Sequence, residues 1–156
     1  MYKITKCIVK RTFYNLMLMY DLDYKAFKTI AEMAQVPVSV VEAMFLDNTV
    51  LTADATNVLA AFSEYTGHHW TLNTVTVKTA HRLTFKDICT LHLLDLDTLA
   101  KEAGVPFAVL DRMLDGEPVS EKEAQFVMQM VSRQSEHIYR LEEVDVKLME
   151  EEAQHE

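Results

Sequence analysis

"AEMAQVPVSVVEAMFLDNTV", residues 31–50, is answered further along the chain by "AKEAGVPFAVLDRMLDGEPV", residues 100–119. Both phrases run Ala, two residues, Ala, one residue, Val-Pro, and then continue with apolar residues at helical spacing. Proline has no N–H to donate within a helix, so Val-Pro marks a break, and the apolar period on either side marks two helices. A helix, a tight turn and a second helix form the skeleton of a helix-turn-helix unit. The chain writes that skeleton twice.

The agreement reaches well beyond the two phrases. With an offset of 69, residues Tyr24–Lys78 align without a gap to Leu93–Lys147, with 16 identities in 55 positions. They include Ala31/Ala100, Pro37/Pro106, Met44/Met113, Val58/Val127, Ser63/Ser132, His68/His137 and Val75/Val144. A fixed offset of this kind indicates duplicated structural units. The polar stretch "KTAHRLT" (78–84) is the boundary, which gives a first unit over residues 1–80 and a second over 81–156.

Each copy reads as a short helical bundle. In the second, Phe85, Ile88 and Leu91 recur at helical spacing, Asp95 is placed to cap the next helix, and Gly104 to end it. "FAVLDRML" follows as a third helix stopped by Gly116, and Ser120 with Glu123 forms a capping-box pattern for a fourth. The first copy follows the same order, with a first helix, "TFYNLMLMYDLD", read as about three residues longer than its counterpart. Each copy closes on a phrase in which valines alternate with polar residues, "TLNTVTV" (71–77) and "RLEEVDV" (140–146). That alternation suits a short extended segment, with a helical continuation as the alternative for the Glu-rich second phrase.

Charge divides the chain unevenly. The net charge is −9, yet residues 1–83 carry +1 and residues 84–156 carry −10. Contact with phosphate requires cations that displace counterions, so a nucleic-acid face is expected in the first copy and its basic start. Two cysteines, Cys7 and Cys89, make no disulfide framework. No apolar run approaches a membrane span, and the expected setting is the cytoplasm.

The second phrase in its context, "LDLDTLAKEAGVPFAVLDRMLDGEPVSEKEAQFVMQMVS", resembles the lambda-repressor-like (Cro/repressor type) helix-turn-helix domains. Leu99-Ala100, Gly104-Val105 and Gly116 stand at the matching places; the first copy keeps Ile30-Ala31 and Val36 but has Gln35 and Asp47 in the glycine positions. The resemblance covers both copies. It implies a mainly α protein of two tandem lambda-repressor-like helix-turn-helix bundles, each ending in a short extended segment, and a transcription regulator whose third helices enter the major groove of double-stranded DNA. The candidate DNA-binding residues are then Lys3, Lys6, Lys10, Arg11, Lys25, Lys28, Ser39 and Arg112.

Base reading needs Arg, Lys, Asn, Gln, Ser or Thr on the exposed face of the third helix. The first copy offers Val38, Ser39, Glu42 and Ala43 there, and the second offers Phe107, Ala108, Asp111 and Arg112. Only Ser39 and Arg112 are of the right type. The apolar character of these helices suggests a second class of function, a protein-interaction or dimerisation module that kept the fold, with Val38, Val41, Phe45, Phe107 and Leu110 as its surface. The expected partners are therefore double-stranded DNA, or a protein that could be a second copy, with no membrane and no small-molecule substrate. The His and Cys residues lack metal-ligand spacing, the three glycines make no phosphate loop, and the paired acids lie in charge-rich stretches. No cofactor, metal or catalytic residue is expected, and the protein is not read as an enzyme.

Overall fold

The computed structural model describes residues 10–149, which form eight helices joined by short turns. The order is β1 (Arg11–Thr12), α1 (Phe13–Met19), α2 (Tyr24–Ala34), α3 (Val38–Phe45), β2 (Val50–Leu51), α4 (Thr52–Thr66) and β3 (Val75–Thr76). Then come β4 (Thr79–Ala80), β5 (Leu83–Thr84), α5 (Phe85–His92), α6 (Leu96–Ala103), α7 (Phe107–Leu114), α8 (Glu121–Ser135), a 3-10 turn at Leu141–Glu143 and β6 (Val144–Asp145). The protein is mainly helical, as the periodicity predicts, and its strands are two residues long.

Two units divide the described residues: 10–48 with 53–78, and 49–52 with 79–149. In the first, Phe13, Leu16, Ile30, Val40, Val58 and Phe62 are buried, and Phe13 meets Phe62 edge-on at 5.4 Å. In the second, Phe85, Ile88, Leu99, Val109, Val127 and Val131 are the corresponding buried side chains. Burying a side chain of this size contributes roughly 1.5–3 kcal/mol, so the apolar stripe of each helix supplies most of what holds it in place.

Five of the eight helices, α1, α2, α5, α6 and α8, start on a side-chain cap. The hydroxyl of Thr12 accepts the Asn15 N–H at 3.1 Å and that of Thr84 accepts the Asp87 N–H at 3.1 Å. Asp23 caps α2 through the Ala26 N–H, and Asp95 caps α6 through the N–H groups of Asp97 and Thr98. Hydrogen bonds to the Thr98 hydroxyl and backbone hold the Asp95 carboxyl below the usual carboxylate range. At α8 the Glu123 N–H donates to Ser120 Oγ at 3.2 Å, as a capping box requires, but the return bond to Glu123 Oε1 comes from the Ser120 hydroxyl at 2.9 Å and not from its backbone N–H.

The extra residues of the first copy lie in α2, not in its first helix as the sequence suggested. Helix α1 has 7 residues against 8 in α5, whereas α2 has 11 against 8 in α6. Upstream of the insertion the two copies match at an offset of 72, as Thr12/Thr84, Phe13/Phe85 and Asp23/Asp95 show. From the end of α2 onward the offset is 69, with Gln35 and Gly104 as the matching caps. The ungapped alignment from Tyr24 fails because Tyr24 opens a helix whereas Leu93 ends one, in the left-handed conformation at φ 52°.

Val75 and Val144 are extended, as their alternation predicts. Strand β1 pairs in parallel with β3, placing Arg11 beside Val75, and β5 pairs in parallel with β6, placing Leu83 beside Val144. The halves before these valines are turns, and no helix continues through 144–147. A second pair of contacts repeats at the same offset: Val50 pairs with Thr79, and Val119 with Leu148.

Candidate functional site

Both copies build the turn between their second and third helices with the same bonds. Gln35 (φ 59°) and Gly104 (φ 68°) leave the helix in the left-handed region. The next N–H reaches back to close the turn, Val36 to Ala31 O at 3.0 Å and Val105 to Ala100 O at 3.1 Å. Pro37 and Pro106, both extended, then start α3 and α7, where a missing N–H costs nothing because the first turn of a helix has no acceptor for it.

The third helices present different faces. On α7, Phe107, Ala108, Asp111 and Arg112 are exposed. On α3, Val38, Ser39, Glu42 and Phe45 are half-buried and Ala43 is buried. Two residues of the expected interaction surface have no place in one: Val41 and Leu110 are each 0% exposed. They fall on the inward stripe of an eight-residue helix, where apolar side chains fill the core instead of meeting a partner.

Of the expected cations, Lys3 and Lys6 lie outside the described residues. Lys10, Arg11, Lys25 and Lys28 are exposed. Arg11 directs its guanidinium to the Met19 sulfur, and Lys28 holds its ammonium 5.1 Å from the centre of the Tyr24 ring. Arg112 sits beside Asp111, with Asp115 and Glu117 just beyond. Partial burial, and then the nearby Glu42 carboxylate on α3, push the phenol of Tyr24, the first residue of α2, above its ordinary range. A carboxylate therefore stands near the start of α2.

Over the same region runs a row of rings that periodicity alone did not reveal. Tyr14 packs on Phe45 at 4.8 Å, Phe45 on Phe27 at 5.1 Å, and Phe27 on Tyr24 at 6.3 Å between centroids. The ends of the row are open, Tyr14 at 46% and Tyr24 at 50% exposure, and Leu18 (57%) on α1 and Leu46 (65%), the residue that follows α3, add exposed apolar surface. The signal lay in α1 itself: seven residues, FYNLMLM, are too apolar for one buried stripe, so burying Phe13, Leu16 and Met17 leaves Tyr14 and Leu18 outside.

At the far end of each unit a ring trio repeats with its members exchanged. Tyr20 stands near His68 and Trp70 in the first; His92 stands near His137 and Tyr139 in the second, where His92 Nε2 and the Tyr139 hydroxyl are 2.6 Å apart. The recurrence of His68 as His137 is thus a structural one, closing the end of the last helix onto the first.

Cys89 is mostly enclosed, and burial pushes its thiol up to about 12. Among the described residues no helix is long and apolar enough to cross a membrane. Comparison with protein-family models, with curated proteins and with solved structures finds no match to this chain.

Proposed function

We propose that each unit is a lambda-repressor-like helix-turn-helix bundle, and that the protein is an association module whose contact is made between two copies of the chain through the ring face of the first unit. The observation that carries this reading is the row of rings from Tyr14 through Phe45 and Phe27 to Tyr24, half-exposed at both ends. The repeated turn supports the scaffold, since both copies close it with the same backbone bond and a left-handed cap. Charge supports the choice of a second copy. Residues 1–83 are nearly neutral and can meet themselves without repulsion, whereas the −10 half cannot. Tyr14, Leu18, Tyr24, Phe45 and Leu46 supply the apolar centre that such a contact needs.

Sedimentation velocity of the full chain over a range of concentrations tests it. A dimer is expected, and Tyr14→Ser combined with Leu18→Ser, both exposed positions, is expected to return it to monomer with an unchanged circular dichroism spectrum. A chain that stays monomeric throughout, or a dimer indifferent to the double substitution, overturns the reading.

A second reading is DNA binding through the first unit, favoured by the exposure of Lys25 and Lys28 on successive turns of α2, with Lys10 and Arg11 nearby in sequence. It predicts duplex binding by the full chain that weakens steeply with salt and with Lys25→Ala plus Lys28→Ala. Fluorescence anisotropy on a mixed-sequence duplex reads it directly. On this reading Arg112 contributes little, because three acids, Asp111, Asp115 and Glu117, lie within five residues of it in the sequence.

A further inference from the structure

Each unit holds a cavity at the same place, between its last long helix and the turn that follows it. The first, of about 450 Å³, is lined by Thr56, Leu59, Ala60, Ser63, Trp70 and Leu72 among others. The second, of about 340 Å³, is lined by Gln125, Met128, Gln129, Ser132, Tyr139 and Leu141. Every residue of the second group stands 69 positions after its counterpart in the first. The wall is fastened the same way in both: the Trp70 N–H donates to Ser63 Oγ at 2.7 Å and the Tyr139 N–H to Ser132 Oγ at 3.0 Å.

The lining is unusual for so charged a molecule. Neither cavity has an Asp, Glu, Lys or Arg in its wall, although 25% of the chain is of those types. Leu59 and Met128 form buried floors, and His69 in the first wall stands where Ile138 does in the second. Both volumes are of the size that small-molecule sites have. A charged ligand would lose its hydration here without a counter-charge to replace it. The first cavity carries one further feature. Among the described residues, the single buried side-chain nitrogen or oxygen without a hydrogen-bond partner is the indole Nε1 of Trp70, one of its wall residues. A buried N–H left unmade is unfavourable, and because this nitrogen is closed to solvent here, an acceptor on a ligand relieves it by drawing the indole edge toward the cavity.

From the repeated geometry we propose that these cavities are a duplicated binding site for an uncharged, mainly apolar small molecule bearing a hydrogen-bond acceptor, with the first cavity the stronger. This site is independent of the dimer contact, since it draws on α4 and α8 and shares no residue with the ring face.

The test uses the full ¹⁵N-labelled chain titrated with benzyl alcohol, and with benzoate and benzylamine as charged counterparts of the same size. Benzyl alcohol is expected to shift the Trp70 indole N–H and the amides of residues 138–141 saturably, with the charged pair at least about tenfold weaker. Ala60→Leu, at an exposed position of α4, fills the first cavity only, so the Trp70 shifts should vanish while those at 138–141 persist. Shifts that do not saturate, charged ligands that bind as well as the alcohol, or Trp70 shifts that survive Ala60→Leu with the same affinity each overturn the proposal.

Discussion

Exchanging the two cap residues that end α2 and α6 turns the duplication into a controlled measurement. Gln35 and Gly104 occupy equivalent backbone sites, φ 59° and φ 68°. A residue with a Cβ strains against the following carbonyl in this region, at a cost of roughly 1–2 kcal/mol. Glycine avoids that cost but loses about 0.5–1 kcal/mol more backbone freedom on folding. The difference leaves glycine ahead by about 0.5–1 kcal/mol. Side-chain contacts do not complicate it, because Gln35 is exposed and a Cβ added at Gly104 meets nothing within 4 Å. Gln35→Gly is therefore expected to stabilise the protein and Gly104→Gln to destabilise it, by similar amounts and in opposite senses. In a chain of this length that is roughly 1–4 °C in Tm each way. Thermal and urea unfolding of the two single variants and of the double exchange read it, and the double variant should return close to the parent. A destabilising Gln35→Gly, or a neutral Gly104→Gln, would refute the reasoning that backbone strain alone separates these two caps.

Phe62, 0% exposed and in edge contact with both Phe13 and Tyr20, should cost about 3–5 kcal/mol when cut to alanine, measured by urea unfolding; a loss below about 1 kcal/mol would contradict its place at the centre of the first core. Tyr139→Phe removes the hydroxyl 2.6 Å from His92 Nε2 and should cost about 1 kcal/mol while leaving the fold intact, with the largest NMR shifts at His92 and His137. In a Cys7→Ser background, Cys89 should react with a disulfide reagent at pH 8 about a thousandfold more slowly in the folded chain than in urea, because its thiol titrates near 12 and not near 9.0. The sign for stability follows: above pH 9 the unfolded thiol ionises first, so this group's contribution is lost as pH rises toward 12, and Cys89→Ala should flatten that part of the profile.

Much of this fold was legible because its punctuation is chemical. Asp95, Gly104, Gly116 and Ser120 have no better use than to start or stop helices, and each does so in both the reading and the structure. The place of the three-residue insertion was hidden because apolar residues face apolar residues at either offset, Phe27 with Leu96 at 69 and with Leu99 at 72. The caps break the tie, Thr12 with Thr84 and Asp23 with Asp95, both at 72. The candidate site was less legible still. A hydrophobic pattern says that a helix has an inner face, not which of two apolar faces is the inner one, so Val41 and Leu110 read as surface and turn out to be core, while Tyr14 and Leu46 went unread. The two cavities escaped for a different reason: they are built from α4 and α8 together with the turns that follow them, and no local motif describes an empty volume.

The parallel closing strands of each unit have a consequence for how such a chain can grow. Because Arg11 lies beside Val75, and Leu83 beside Val144, pointing the same way, the backbone departs from a unit at the spot where it arrived and in the heading it arrived with. Nothing has to travel back across the bundle. A unit closed in this way can follow or precede another without the chain doubling back on itself, much as a bead is threaded onto a string.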